Sequence, residues 1–179
     1  MSSGRRKGSV TVEMTLVGIP VIFVLVSIFE ISRGMWMYET ASFAVREGVR
    51  FAAVHGVNCK PSPPTVTNDC LKTAFQVTAV IRSAAVALGQ ESLANTPVTF
   101  SVPSVPTVTS FNCNLDGTTG DARCSAVWPD DGANSPPNVI SISLSTPFRS
   151  ALAMFWPGSR PVAFGQVNLG ASSSDSIQF

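Results

Sequence analysis

From Met14 to Phe29 the chain reads MTLVGIPVIFVLVSIF, an uncharged run bracketed by Glu13 and Glu30. This run limits the fold more than any other feature. A helix that crosses a bilayer needs about 20 mostly apolar residues, with a range of about 17–25. Adding Val10, Thr11, Val12 and Ile31 reaches that length if Glu13 is tolerated, so the span is expected over residues 10–31. Arg5, Arg6 and Lys7 precede it. Basic residues before a span place the N-terminus in the cytoplasm, and the chain beyond the span then lies across the membrane. A secretory signal peptide would have a shorter apolar region and a small-residue cleavage site after it. Here the run continues into EISRGMWMYE instead.

The helix does not end with the span. Between Ser9 and Val54, Pro20 is the one strong helix breaker, and membrane helices tolerate Pro because neighbours or water satisfy the freed carbonyl. A helix over 9–54 would be about 69 Å long at ~1.5 Å per residue. That exceeds the ~30 Å hydrocarbon core, so the second half must leave the bilayer. Ile31, Met35, Tyr38, Ser42, Val45, Val49 and Ala52 recur at alternating spacings of four and three. They predict the seam against which an exported domain or another helix packs. Trp36 and Tyr38, just past the run, suit the outer interface as aromatic anchors.

Charge and cysteine content agree with export. Charged residues make up 13% of the chain, against roughly 25% in typical soluble domains. Without residues 1–8 the chain holds nine basic and eleven acidic side chains, which leaves no basic surplus for nucleic acid. Cys59, Cys70, Cys113 and Cys124 all come after the apolar segment, as two pairs each eleven residues apart. Four cysteines allow three connectivities. The local pairing, Cys59 with Cys70 and Cys113 with Cys124, is preferred. Zinc is the weaker reading, since there is no CxxC and His55 is the sole histidine. An even cysteine count beyond an export signal points to disulfides in an oxidising compartment.

Residues 57–67, VNCKPSPPTVT, hold three prolines and mark the end of the long helix. Asn68 or Asp69 is the expected cap of a second helix. Its apolar seam is Cys70, Ala74, Val77, Ile81, Ala84 and Leu88, and Gly89 its stop. Strands are expected at 97–102, at 124–128, over NVISISLSTPF, where Ile140, Ile142 and Leu144 alternate with serines, and more weakly at 160–170. ALAMFWPG at 151–158 is an apolar patch, read first as core and second as a partner surface. The fold class is α+β and pilin-like: a long N-terminal helix whose first half spans the membrane, and a second helix packed on a small, mostly antiparallel sheet. The expected division is a leader at 1–8, the long helix at 9–56, and a disulfide-bonded head at 57–179.

No catalytic constellation is present. His55 has no histidine partner and suits a helix C-terminus. Asp130 and Asp131 sit in a Gly/Pro turn, and Asp116 and Asp121 lack the spacing and terminal Glu of an EF-hand. Neither a metal nor a cofactor is expected, and the chain is not read as an enzyme.

Glu13 is the informative residue. A carboxylate inside a span is costly and usually partnered, and one available partner is a free α-amino group on a neighbouring chain. RRKGSVTVE resembles a class III leader-peptidase site: basic residues, a glycine, then Glu at the fifth mature position. The wider pattern, GSVTVEMTLVGIPVIF and then IFEISRGMWMYETASFAVREGVRFAAV, resembles the TadE-like family, minor pilin-like proteins of tight-adherence (Tad, type IVb Flp) pilus systems. Family features matched here are Pro20 in the apolar run, Glu30 and Arg33 after it, and the Ala44–Arg50 stretch at the helix end. Met14 stands where the family often has Phe or Tyr.

The resemblance implies cleavage after Gly8, Ser9 as the new N-terminus, and an assembly helix that uses Glu13, Pro20, Glu30 and Arg33. It implies a single-pass protein of the bacterial inner membrane with its head in the periplasm or outside the cell, as part of a surface pilus. The implied partners are other pilin-like subunits, the prepilin peptidase and the Tad inner-membrane assembly machinery. The alternative is a signal-anchored envelope binding protein that does not polymerise.

Overall fold

The computed structural model describes residues 9–59, 70–89, 96–107, 109–117, 120–130, 132, 134–150 and 166–178. Helix α1 runs unbroken from Ser9 to Ala53, through Pro20. Its 45 residues correspond to about 68 Å. Helix α2 covers Ala74–Ala84. Strands β1 (Pro97–Ser101), β2 (Phe111–Asn114), β3 (Val139–Arg149) and β4 (Gln166–Ser176) form one sheet in the order β2-β1-β3-β4. Every pairing is antiparallel. The chain is α+β, as the sequence predicts.

The sheet is two-faced because its strands alternate. Val98, Phe100, Phe111, Cys113, Ile140, Ile142, Leu144 and Ala171 are buried. Ser145, Ser172, Ser174 and Ser176 on the other face are exposed. Phe100 anchors the buried side, stacked on Phe111 at 5.3 Å and meeting the edge of Trp128 at 4.8 Å. Both helices cover this face. From α1 come Met37, Ala41, Ala44, Val45, Val49 and Ala52, and from α2 come Ala74, Val77 and Ile81.

The burial corrects the predicted seam of α1. Val45, Val49 and Ala52 are buried, but Ile31, Met35 and Tyr38 are exposed, and Ser42 is half-buried. The packed face is Met37, Ala41, Ala44, Val45, Gly48, Val49 and Ala52, so the predicted seam holds from Val45 onward and fails before it. Small side chains let a sheet and a second helix approach the α1 backbone closely, whereas a seam of large residues would hold them off.

Four further expectations shift. The cap of α2 is Thr73, whose side chain accepts from the Gln76 N–H while the Gln76 side chain accepts from the Thr73 N–H, a reciprocal capping box. Asn68 and Asp69 lie outside the described residues. The helix stops at Ala84, before Gly89. Residues 124–128 are not a strand: Ala122–Ser125 is a 3-10 turn, and Val127 makes one isolated bridge to Thr73. The described part of the last strand covers Gln166–Ser176 and so runs past the expected end at 170, while residues 160–165 lie outside the described residues. The apolar patch at 151–158 lies outside the described residues.

The ends of the sheet orient it along α1. The Phe148 ring lies 3.6 Å from the position a β-carbon would take on Gly34, and Phe148 pairs with Val167 at the start of β4. Just past the other end of β4, the Gln178 N–H donates to the Ala53 carbonyl at 3.2 Å. Strand β4 therefore runs alongside the second half of α1 in the same direction, and β3 returns toward the apolar half. The Gln178 bond also satisfies one of the carbonyls a helix leaves open at its C-terminus.

Candidate functional site

The candidate site is α1 itself, which divides into two halves of different surroundings. The first half is uncovered. Val10, Val12, Met14, Leu16, Val17, Ile19, Ile22, Phe23 and Phe29 are each more than half exposed. The most apolar 18-residue window of the helix has a mean hydropathy of 2.4 and no buried residue. The helix is thus long and apolar enough to cross a membrane, and among the described residues none of the head covers that part.

Polar side chains in this half are mostly satisfied within the helix. The hydroxyls of Thr15, Ser27 and Ser32 donate to the carbonyls of Thr11, Phe23 and Ile28 at 3.0, 2.8 and 2.8 Å. Such back-bonding removes most of the cost of a hydroxyl in lipid. Glu13 differs: it is exposed on the helix surface and bonds to none of the described residues. Pro20 lies within the helix, where its ring leaves the Leu16 carbonyl without its intrahelical donor. Pro20, Val21, Val24 and Leu25 line a shallow apolar groove. Ser9 begins α1. Arg5, Arg6, Lys7 and Gly8 lie outside the described residues.

Glu30 and Arg33 sit where the two halves meet. Their side chains are 3.9 Å apart. The Arg33 guanidinium also donates to the Arg149 carbonyl at 3.4 Å and lies 5.3 Å from the Phe148 ring centre. Glu30 is largely buried and its Oε2 accepts no hydrogen bond among the described residues. These two residues thus clamp the end of β3 to α1, together with Gly34. Sequence reasoning singled out Glu30 and Arg33 but not their partners on β3, Phe148 and Arg149. The Gly34–Phe148 contact joins positions far apart in the chain, and no local pattern signals it.

Both disulfides are local, Cys59–Cys70 and Cys113–Cys124. The second closes one edge of the sheet. Gly120 bridges to Cys113, and the Asp121 N–H donates to the Asn112 carbonyl at 3.0 Å. At the end of α1, His55 Nδ1 lies 2.6 Å from the Phe51 carbonyl, with its ring 4.2 Å from the Phe51 ring. This is the expected helix-terminal histidine. Asp121 pairs with Arg123 at 2.9 Å, and no group of three or more His, Cys, Asp or Glu side chains among the described residues is placed to hold a metal ion.

The TadE-like protein family matches this chain over residues 8–50. The TadE-like match begins at Gly8 and ends at Arg50, so it covers α1 from the predicted cleavage site almost to its end. It covers less than half of the chain and none of the sheet. No curated protein and no solved structure matches the chain. The TadE-like segment is therefore the part that carries information about function.

Proposed function

We propose that the protein is a TadE-like minor pilin or pseudopilin of a Tad, type IVb pilus system. It inserts in the bacterial inner membrane with residues 1–8 cytoplasmic and the head outside. A prepilin peptidase cuts after Gly8, and the mature chain takes part in assembling, priming or capping a pilus. It works by helix–helix packing and not by catalysis. Its partners are other pilin-like subunits and the Tad inner-membrane machinery.

One observation carries the reading: the TadE-like match coincides with a helix whose apolar first half is covered by none of the described head residues. That half is available to lipid before assembly and to other helices after it. Glu13 adds support, because a carboxylate with no partner among the described residues can be neutralised by the α-amino group that cleavage at Gly8 would create on a neighbour.

Mass spectrometry of the mature N-terminus tests processing in a host with the peptidase. A chain beginning at Ser9 is expected; retention of residues 1–8 would overturn the claim. Glu13→Ala is expected to abolish recovery of the protein in sheared filaments while leaving the head folded. A signal-anchored binding protein would instead stay in the membrane fraction and be indifferent to that substitution.

A further inference from the structure

Phe148 and Arg149 fix the level of the head along α1. The Phe148 ring lies 3.6 Å from the position a β-carbon would take on Gly34. The Arg149 carbonyl accepts from the Arg33 guanidinium at 3.4 Å. Gly34 stands about 4.5 Å along the helix axis past Ile31, the last residue of the expected span. A bilayer about 40–45 Å thick has a hydrocarbon core of about 30 Å, which leaves a headgroup layer of about 5–7 Å on each side. The Gly34–Phe148 contact therefore falls inside that layer. Strand β3 points toward the apolar half of α1, so Arg149 is deeper still, by up to about 3.3 Å. Trp36 and Tyr38 agree with this level. They are 66% and 46% exposed and lie just past Gly34, where interfacial aromatics meet the headgroups.

The side chains at this end of the sheet suit the same layer. Val167 pairs with Phe148 and is 58% exposed, whereas Leu169 and Ala171, next on the same face of β4, are half-buried and buried. Arg149 is exposed, and its guanidinium bonds to none of the described residues. The nearby carboxylate, Glu30, is largely buried beside Arg33 and shows little negative charge to its surroundings. In the β3–β4 ladder the one acid, Asp175, is at the opposite end. Residues 151–165, which join the two strands at this end, read ALAMFWPGSRPVAFG and hold no acidic side chain to repel phosphate.

We propose that the end of the sheet around Phe148, Arg149 and Val167 is a second membrane contact, seated among the phospholipid headgroups of the leaflet on the head's side. Arg149 binds lipid phosphate there, and Val167 rests against the boundary of the acyl chains. The inference rests on the reading of α1 as a membrane span, and it adds what the span alone does not supply. A single helix tethers the head but leaves it free to tilt and swivel, whereas a helix and a sheet end held in one leaflet fix its orientation. The chemistry is that of a guanidinium, which donates two parallel hydrogen bonds to a phosphate, and basic side chains are drawn to anionic lipid surfaces. Strands β3 and β4 then stand upright on the bilayer, and the serine face of the sheet points sideways, parallel to the membrane.

Depth-dependent fluorescence quenching tests this. The full chain, with both native disulfides formed, is placed one copy at a time in nanodiscs of phosphatidylethanolamine and phosphatidylglycerol. A bimane label is carried by Val167→Cys, by Ser174→Cys about 23 Å farther along β4, or by Phe29→Cys in the span. Lipids spin-labelled at the headgroup are expected to quench the label at 167 severalfold more than the label at 174. Lipids spin-labelled deep in the acyl chain are expected to quench the label at 29 most. Arg149→Glu should cut headgroup quenching at 167 severalfold, and Arg149→Lys should keep it. Equal quenching at 167 and 174, with 29 quenched, would overturn the seat and leave the span standing. No quenching at 29 would overturn both. Indifference of a folded Arg149→Glu would overturn the phosphate contact. Shielding of 167 only when many copies share one vesicle would assign this surface to a protein neighbour and overturn the proposal. The comparison of 167 with 174 uses no charge variant, so it decides even if Arg149→Glu fails to fold.

Discussion

Gly48 of α1 lies so close to Ile81 of α2 that a β-carbon on Gly48 would overlap the Ile81 side chain. Both residues are buried. The glycine is required by close approach, not by backbone conformation. Gly48→Ala gains about 1 kcal/mol of helix propensity but overpacks the contact, at a cost of about 1–3 kcal/mol. Net destabilisation is expected for Ala and a larger loss for Leu. Gly48→Ala with Ile81→Val should recover part of it. Chemical denaturation of the full chain in detergent, read by tryptophan fluorescence, checks the order of the three variants.

The two disulfides close loops of equal length, with a sequence separation of 11 in each. Chain entropy alone assigns each about 3 kcal/mol. Their surroundings differ, since Cys113 and Cys124 are fully buried whereas Cys59 and Cys70 are half-buried. Replacing Cys113 and Cys124 by Ala also leaves a void under β2 and releases the sheet edge. That pair should therefore cost more than the Cys59/Cys70 replacement. Melting temperatures of the two double variants, measured side by side, give the answer. An equal drop would show that loop entropy dominates and the buried position adds nothing.

The long helix, the two local disulfides and strand β3 were legible because each obeys one strong local rule: an uncharged run, equal cysteine spacing, strict apolar alternation. The misses come from forces the local pattern does not contain. Strand β2 reads FNCN, and Asn is depleted in strands; it is a strand because β1 and a disulfide hold it there. CSAVW looks like a strand but Cys124 is drawn to Cys113, and Asp121 caps the turn through the Arg123 N–H. The start of the α1 seam, where Ile31, Met35 and Tyr38 are exposed, eludes a pattern that equates large apolar residues with burial. Beside a close-packed sheet and helix, Ala41, Ala44 and Gly48 are buried because they are small.

Asp121 accepts from both the backbone N–H and the guanidinium of Arg123. The side-chain bond is the main cause, and the carboxyl is held at about 2 instead of 3.8. A folded pKa below the unfolded one means stability that is present above pH ~4 and lost as pH falls toward 2. Asp121→Asn should therefore be less stable than the parent at neutral pH, and the two should converge between pH ~4 and ~2. The site is solvent-exposed, so the gap is small and shrinks with added salt. Acid titrations of both proteins, tracked by near-UV circular dichroism at two salt concentrations, measure it. A gap that widened on acidification would contradict the pairing.

The Glu30–Arg33 clamp makes a prediction that depends on sign as well as size. Arg33 is half exposed but holds three things at once: the Glu30 carboxylate, the Arg149 carbonyl and the face of Phe148. Arg33→Ala removes a cation–π contact of about 0.5–1 kcal/mol and strands a mostly buried carboxylate without its counter-charge. Leaving one member of such a pair alone is worse than losing both. Glu30→Gln alone should thus be nearly neutral, Arg33→Ala should destabilise by about 1–2 kcal/mol, and the double variant should be more stable than Arg33→Ala. Hydrogen exchange at Thr146–Arg149 is the local readout. Exchange there should quicken in Arg33→Ala and slow again when Glu30→Gln is added, while the distal end of β3 near Val139 stays unchanged. If the double variant exchanged faster than either single one, the buried carboxylate would be stabilising the junction in its own right.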